Sequence, residues 1–184
     1  MRHDPAMDAD AEVVVAVEPG DGSPLDEIRA LAVAAFEGDY DDDDWAHALG
    51  GRHVFATFDG MVVAHAAVIP RVLTLGEEEM RVGYVETVAV SPSEQGRGLG
   101  ALVMRHAGEL ILSEFDLGGL ATGVQPFYES LGWVRWRGRT HVHSPDGRRR
   151  TEKDDGGVMV LLPQGSRVDL YADIVCDWRD GEVW

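Results

Sequence analysis

Apolar residues along the chain fall into two rhythms, and each rhythm predicts its own elements. Residues 1–10 are polar and without period, which reads as a disordered tail ahead of a single domain spanning 11–184. AEVVVAV (Ala11 to Val17) then has the β-branched content of a core strand. Pro19 to Gly22 make a turn, Ser23 is placed to cap, and Pro24 suits a first helical position. Leu25, Ile28, Leu31, Ala32, Ala35 and Phe36 share one helical face, so an amphipathic helix should end near Gly38. A short second helix, Trp45 to Leu49, stops at Gly50-Gly51, with the preceding aspartates around its N-terminus. HVFATF and MVVAHAAVI flank Asp59-Gly60, the chemistry of a type I′ hairpin turn. A second reversal at Gly76 to Glu79 joins VLTL to MRVGYVETVAV and completes a three-stranded meander.

Leu99, Leu102, Val103, His106, Leu110 and Ile111 mark a long helix from Gly98 to Ser113. A strand at GLAT, a brief helix over Phe127 to Leu131, and strands near Trp133 to Trp136 and Val158 to Leu162 follow. Arg137 to Asp155 reads as a long polar loop or irregular hairpin. The order β-α-α-β-β-β-α-β-α-β-β predicts an α+β fold with a mixed sheet flanked by helices.

Charge changes the picture more than composition does. Sixteen basic against thirty-three acidic residues leave a formal charge of −17, which repels nucleic acid and anionic membranes and attracts cations. The charge is also segregated: Asp39 and Asp41 to Asp44 crowd together, while Arg148, Arg149 and Arg150 cluster elsewhere. For Asp41 to Asp43 the simpler reading is solvated surface or helix capping. Cys176, the only cysteine, has no internal partner and reads as a buried thiol, and the first residues lack a signal-peptide pattern. No apolar run approaches the roughly 20 residues that span a bilayer. The expectation is a cytoplasmic protein without nucleic-acid or membrane partners.

The most specific stretch is YVETVAVSPSEQGRGLGALVMRHA, a strand, a glycine-rich loop and a helix start. Such a turn offers unpaired N–H groups at the positive end of a helix, a site for phosphate. Gly96, Gly98 and Gly100 clear side chains from the approach, and Arg97 adds charge. Gly96, Gly98 and Ala101 also match the weaker dinucleotide pattern, but Ser91 to Gln95 separate them from the strand, antiparallel strands precede them, and GLAT ends without an acid for a ribose. The phosphate-loop pattern ending in Gly-Lys is absent.

Gln95-Gly96-Arg97-Gly98-Leu99-Gly100 resembles the [QR]-x-x-G-x-[GA] signature of the GCN5-related N-acetyltransferases (GNAT), and PFYESLGW resembles their second signature. AFEGDYDDDDWAHALGG, DGMVVAHAAVI, GYVETVAV and CDWRDGEVW are similar to segments of the actinobacterial aminoglycoside 2′-N-acetyltransferases, so the likeness covers nearly the whole chain after residue 25. The resemblance implies a mostly antiparallel central sheet splayed at an acetyl-CoA site. It assigns the pantetheine arm to the main chain of Val88, Ala89 and Val90, the last or a neighbour a donor to the thioester carbonyl, and the pyrophosphate to Gln95, Gly96, Arg97, Gly98, Leu99 and Gly100.

Glu86 matches the proposed general base, acting directly or through a water, or a carboxylate that only binds the cationic amine; Tyr128 matches the general acid. Asp39, Asp44, Glu86, Thr87, Asp154, Glu182 and Trp184 with its terminal carboxylate would match the ammonium groups of an aminoglycoside or other polycationic amine. Transfer would be direct, within a ternary complex, by a homodimer built through the late strands. Three departures bear on the acceptor: Thr87 stands where a close relative has Gly, Ala121-Thr122-Gly123 replaces a longer serine-rich segment, and Glu182 stands where Asp is familiar. Another amine acceptor, such as a cell-wall amino sugar, a polyamine or a protein amine, and a non-catalytic acyl-CoA or aminoglycoside-binding protein are the rival readings. His141 and His143 share a strand face without acidic or thiol companions, so no metal is expected.

Overall fold

The computed structural model describes residues 14–184. The expected tail, and Ala11 to Val13 of the expected first strand, lie outside the described residues. Among the described residues ten strands form one sheet, and four α-helices accompany them. β1 (Val14–Pro19) pairs only with β2 (Arg52–Phe58), so the expected core strand is an edge strand, half exposed. Pro24 is the N-cap of α1 (Leu25–Ala35) rather than its first helical residue, and Ser23 does not cap it; the Ser23 hydroxyl donates back to the Pro19 carbonyl at 3.1 Å. α2 (Asp42–His47) is held by a reciprocal cap. The Asp41 carboxylate accepts from the N–H groups of Asp43 (2.9 Å) and Asp44 (3.0 Å), while the Asp44 carboxylate accepts from the Asp41 N–H at 3.1 Å.

Asp59 (φ 50°) and Gly60 (φ 77°) adopt the positive φ values that a type I′ turn requires, so the hairpin to β3 forms as expected. β3 (Met61–Leu75) is one continuous strand rather than two, with Pro70 inside it. Proline is tolerated because β3 changes partner there. Its pairing with β2 stops at Val68, and its pairing with β10 (Ile174–Asp177) begins at Leu73, so on that edge no neighbour awaits the missing N–H. β4 (Glu78–Val90) runs antiparallel to β3 along its whole length.

α3 (Leu99–Glu114) covers one face of the sheet. Ile28, Leu31 and Ala32 of α1 are buried at β3 and β4. Gly83 permits the close approach of α3, since a Cβ there would meet Ile111 at 2.8 Å and Phe115 at 2.9 Å. Its neighbours Val82 and Tyr84 join a second core with Trp136, Cys176 and Trp184 on the other face.

β5 (Leu117–Ala121) runs parallel to β4 but pairs only from Val82 to Tyr84, after which the two strands diverge. The splay predicted for a mostly antiparallel sheet is therefore present. α4 (Gln125–Glu129) begins two residues earlier than anticipated, with Pro126 in its first turn. β6 (Val134–Arg135) and β9 (Val158–Leu161) complete one edge. The segment read as a loop or hairpin is a hairpin, β7 (Thr140–Ser144) and β8 (Gly147–Arg150), and β10 lies parallel to β7. Cys176 is buried, and burial pushes its thiol up to about 11. Among the described residues no helix is long and apolar enough to cross a membrane.

Candidate active site

Past Tyr84, β4 has no neighbour on its β5 side among the described residues, and its main chain there borders a cleft of 680 Å³. Val88, Ala89 and Val90 form one wall; Gln95, Gly96, Gly98, Leu99 and Gly100 form the end at α3; Phe127 and Tyr128 of α4 close the other side. Eight of the nine residues expected to hold a cofactor line this cleft together. Arg97 does not: its guanidinium pairs with Glu94 and lies 5.1 Å over the Phe58 ring.

The loop suits an anion. Gly96 (φ 78°) and Gly98 (φ 79°) take a backbone conformation that L side chains rarely adopt, and a Cβ on either would enter open space. No side chain caps α3, and its first main-chain bond runs from the Leu102 N–H to the Gly98 carbonyl. The N–H groups of Leu99, Gly100 and Ala101 thus have no helical acceptor, and no acidic residue stands in the first turn. Tyr128 is 8% exposed, and burial pushes its phenol up to about 12, so it carries its proton at neutral pH.

β4 continues from this cleft into a smaller pocket of 170 Å³ lined by Phe36, Asp39, Tyr40, Asp44, His47, Glu86 and Thr87. The boundary is a bulge. The β3 register jumps from Ala67↔Glu86 to His65↔Ala89, and Thr87 takes φ 49°, a costly angle for a β-branched residue. Two side chains hold it there. The Tyr40 hydroxyl meets the Thr87 hydroxyl at 2.9 Å, and His65 Nδ1 donates to the Thr87 carbonyl at 3.0 Å. His65 is in turn bonded to His53 at 2.9 Å; both rings are buried, and burial pulls His65 down to about 3. The relay is neutral.

Asp39, Asp44, Glu86 and Thr87 therefore come together, whereas Asp154, Glu182 and Trp184 do not line that pocket. Glu182 pairs with Lys153 at 2.6 Å. Trp184 is buried with its indole N–H on the Thr151 hydroxyl at 2.9 Å. Asp154 keeps one buried carboxylate oxygen without a partner, and burial raises its pKa. Glu182 and Trp184 connect to Glu86 through a residue given no role in the sequence reading. Arg179 donates to the main-chain oxygens of Glu182 (2.7 Å) and Trp184 (3.3 Å) and forms an ion pair with Glu86. Tyr40 and His47 were also unassigned; His47 Nε2 is 2.7 Å from the Asp180 carbonyl and ties α2 to the tail. A lone cation inside an acidic tail was the available signal for Arg179.

Arg71, nearly enclosed, braces the same tail through Asp177 and the Val183 carbonyl (2.8 Å). The Arg148 to Arg150 cluster is spent locally on Asp173, the Trp178 ring and Asp155. Among the described residues no group of three His, Cys, Asp or Glu could hold a metal ion.

Residues 50–135 match the model of the acetyltransferase (GNAT) domain family. The chain is 44% identical over 161 residues to an aminoglycoside 2′-N-acetyltransferase of Mycolicibacterium fortuitum, covering 85% of this chain and 83% of that one. A GNAT family N-acetyltransferase of Escherichia coli, solved in complex with CoA, superposes with a TM-score of 0.65 at 18% identity, over 96% of this chain and 93% of that one. A GCN5-related N-acetyltransferase from Kribbella flavida gives 0.60 at 20% identity over 70% of this chain, which spans 34% of that structure.

Proposed function

Because the chain belongs to the GNAT acetyltransferases, in the family of the aminoglycoside 2′-N-acetyltransferases, we propose that it acetylates the 2′-amine of an aminoglycoside at the junction between its cleft and its acidic pocket. It is an acetyl-CoA-dependent N-acetyltransferase. One observation carries the site assignment: a single strand, β4, borders the cleft with Val88 to Val90 and the acidic pocket with Glu86 and Thr87.

Acetyl-CoA supplies an activated acetyl thioester when bound. The free N–H groups of Leu99, Gly100 and Ala101, with the open glycines before them, take its pyrophosphate. Main-chain groups of Val88 to Val90 on the unpaired edge of β4 hold the pantetheine arm as a neighbouring strand would, and the Val90 N–H polarises the thioester carbonyl. Glu86 receives the proton that the attacking amine must lose. Tyr128, protonated at neutral pH, returns one to the departing sulfur. Asp39 and Asp44 hold further ammonium groups, and Asp154 and Glu182 extend that field from the late segments. The protein works as a cytoplasmic homodimer joined through the late strands, a reading supported by the unpaired outer edge of β8.

The test is thiol release from acetyl-CoA with matched acceptors that carry either a 2′-amine or a 2′-hydroxyl, with the acetyl group located by NMR. Release only with the 2′-amino compound, acetylated at that nitrogen, is the expected result. Transfer to another position, or to neither acceptor, refutes the 2′ assignment.

A further inference from the structure

Glu86 already has a cation. The Arg179 guanidinium stands against its carboxylate, and side-chain exposures of 15% for Arg179 and 16% for Glu86 put the pair largely out of water. An amine approaching Glu86 for deprotonation needs the carboxylate that Arg179 holds. We infer that Arg179 is a resident substitute for the acceptor's ammonium group, and that an amine enters the site by exchanging with it. The inference rests on the assignment of Glu86 to the amine.

The geometry favours exchange over wholesale rearrangement. Arg179 uses Nε on the Glu182 carbonyl and Nη2 on the Trp184 oxygen, so only the Nη1 contact to Glu86 is surrendered. Its guanidinium also lies 5.8 Å from the Tyr84 ring, whose other cation, Arg71, sits at 4.7 Å. The tail has anchors that do not involve Arg179: Arg71 on Asp177 and Val183, the Trp184 indole on Thr151, and His47 on Asp180. Losing the Glu86 contact therefore leaves the tail seated.

The consequence is a threshold. Every amine that reaches Glu86 pays the same displacement cost, so an amine with one charge and few other contacts binds too weakly to occupy the site. A polycation offsets the cost through Asp39, Asp44 and the other carboxylates. While no such amine is present, Glu86 stays paired with Arg179.

Calorimetric titration of the CoA-saturated protein, with and without Arg179→Gln, tests this. Gln keeps a donor for the tail oxygens and removes the charge. The probes are an aminoglycoside with a 2′-amine, its 2′-hydroxyl counterpart, and glucosamine. The dissociation constants of the 2′-amino compound and of glucosamine should each fall by about tenfold or more, a difference near 1.4 kcal/mol. The 2′-hydroxyl compound should move less than about twofold. In a Glu86→Gln background, Arg179→Gln should no longer matter. Unchanged, weaker or absent amine binding in the variant overturns the inference.

Should Arg179→Gln not fold, the unaltered chain answers. The Arg179 side-chain NMR signals, assigned against Arg179→Lys, should shift on adding the 2′-amino compound and stay put with acetyl-CoA alone; signals that ignore the amine overturn the exchange. Tighter amine binding without Arg179, in a protein that fails the thiol-release test, would keep the exchange and discard the 2′-acceptor assignment.

Discussion

The cleft and the acidic pocket share a strand but are made of different material. The cleft presents main chain: a free strand edge, two glycines at positive φ, and helix-start N–H groups. The pocket presents side chains from the segment between α1 and α2, from α2 and from β4, with the tail reaching in through Arg179. A site of main chain depends on conformation and tolerates changes of side chain. A site of side chains depends on identity, and a single substitution rewrites it.

Four substitutions or measurements press on that contrast. Glu86→Gln should lower kcat/KM by roughly 10²–10⁴-fold, the range for a lost general base, while acetyl-CoA binding, read by titration, stays unchanged. Equal damage to both would erase the distinction between the two regions. Second, the buried neutral His65 should make stability depend on acid. Its folded pKa, about 3, lies below the ordinary 6.5, so the unfolded chain takes a proton that the fold refuses. The stabilisation is intact above pH 6.5 and declines toward pH 3 by about 1.4 kcal/mol per pH unit from this group. Denaturant melts of the unaltered protein and of His65→Asn across that window should show a shallower slope in the variant, which keeps the buried His53. An equal slope in both would acquit His65.

Third, Gly98→Ala forces an L side chain to φ 79° in open space, a strain of about 1–2 kcal/mol that should weaken acetyl-CoA roughly tenfold and spare amine binding. Wild-type acetyl-CoA affinity in that variant would show that the loop's conformation is not what binds. The smallest effect belongs to Arg97→Ala. Its side chain is occupied by Glu94 and Phe58, so acetyl-CoA KM should change by less than about threefold.

The same contrast explains what could be read without coordinates. The cleft was legible because Glu86 to Gly100 is one stretch in which spacing alone implies strand, loop and helix, and PFYESLGW follows soon after. The pocket was legible only in part. Asp39, Asp44 and Thr87 came with the resemblance, but nothing local links Arg179 to Glu86 across 93 positions. β7 and β8 were hard to see because THVHS and GRRR carry few apolar residues; they become strands by pairing with each other and with β10, whose own four residues are too short to announce a period. Ser23 looked like a cap by type, yet its hydroxyl found the Pro19 carbonyl first. Thr87 in place of Gly reads as a change of substrate contacts, and it is also a conformational one. Glycine would adopt φ 49° without help, whereas threonine needs Tyr40 and His65 to keep it there.

The change of partners along β3 at Pro70 has an evolutionary meaning. Before that residue β3 supports the strands of the cleft; after it, β10 attaches through three residue pairs, Leu73 to Leu75, in a stretch that touches no part of the cleft. The tail that carries Arg179 is fastened to a portion of the strand that lines no part of the cleft. A lineage can rewrite that appendage, one substitution or one insertion at a time, while inheriting the acyl-donor machinery intact. In such a frame acceptor choice is the trait free to diverge, and donor choice is the one that descends unchanged.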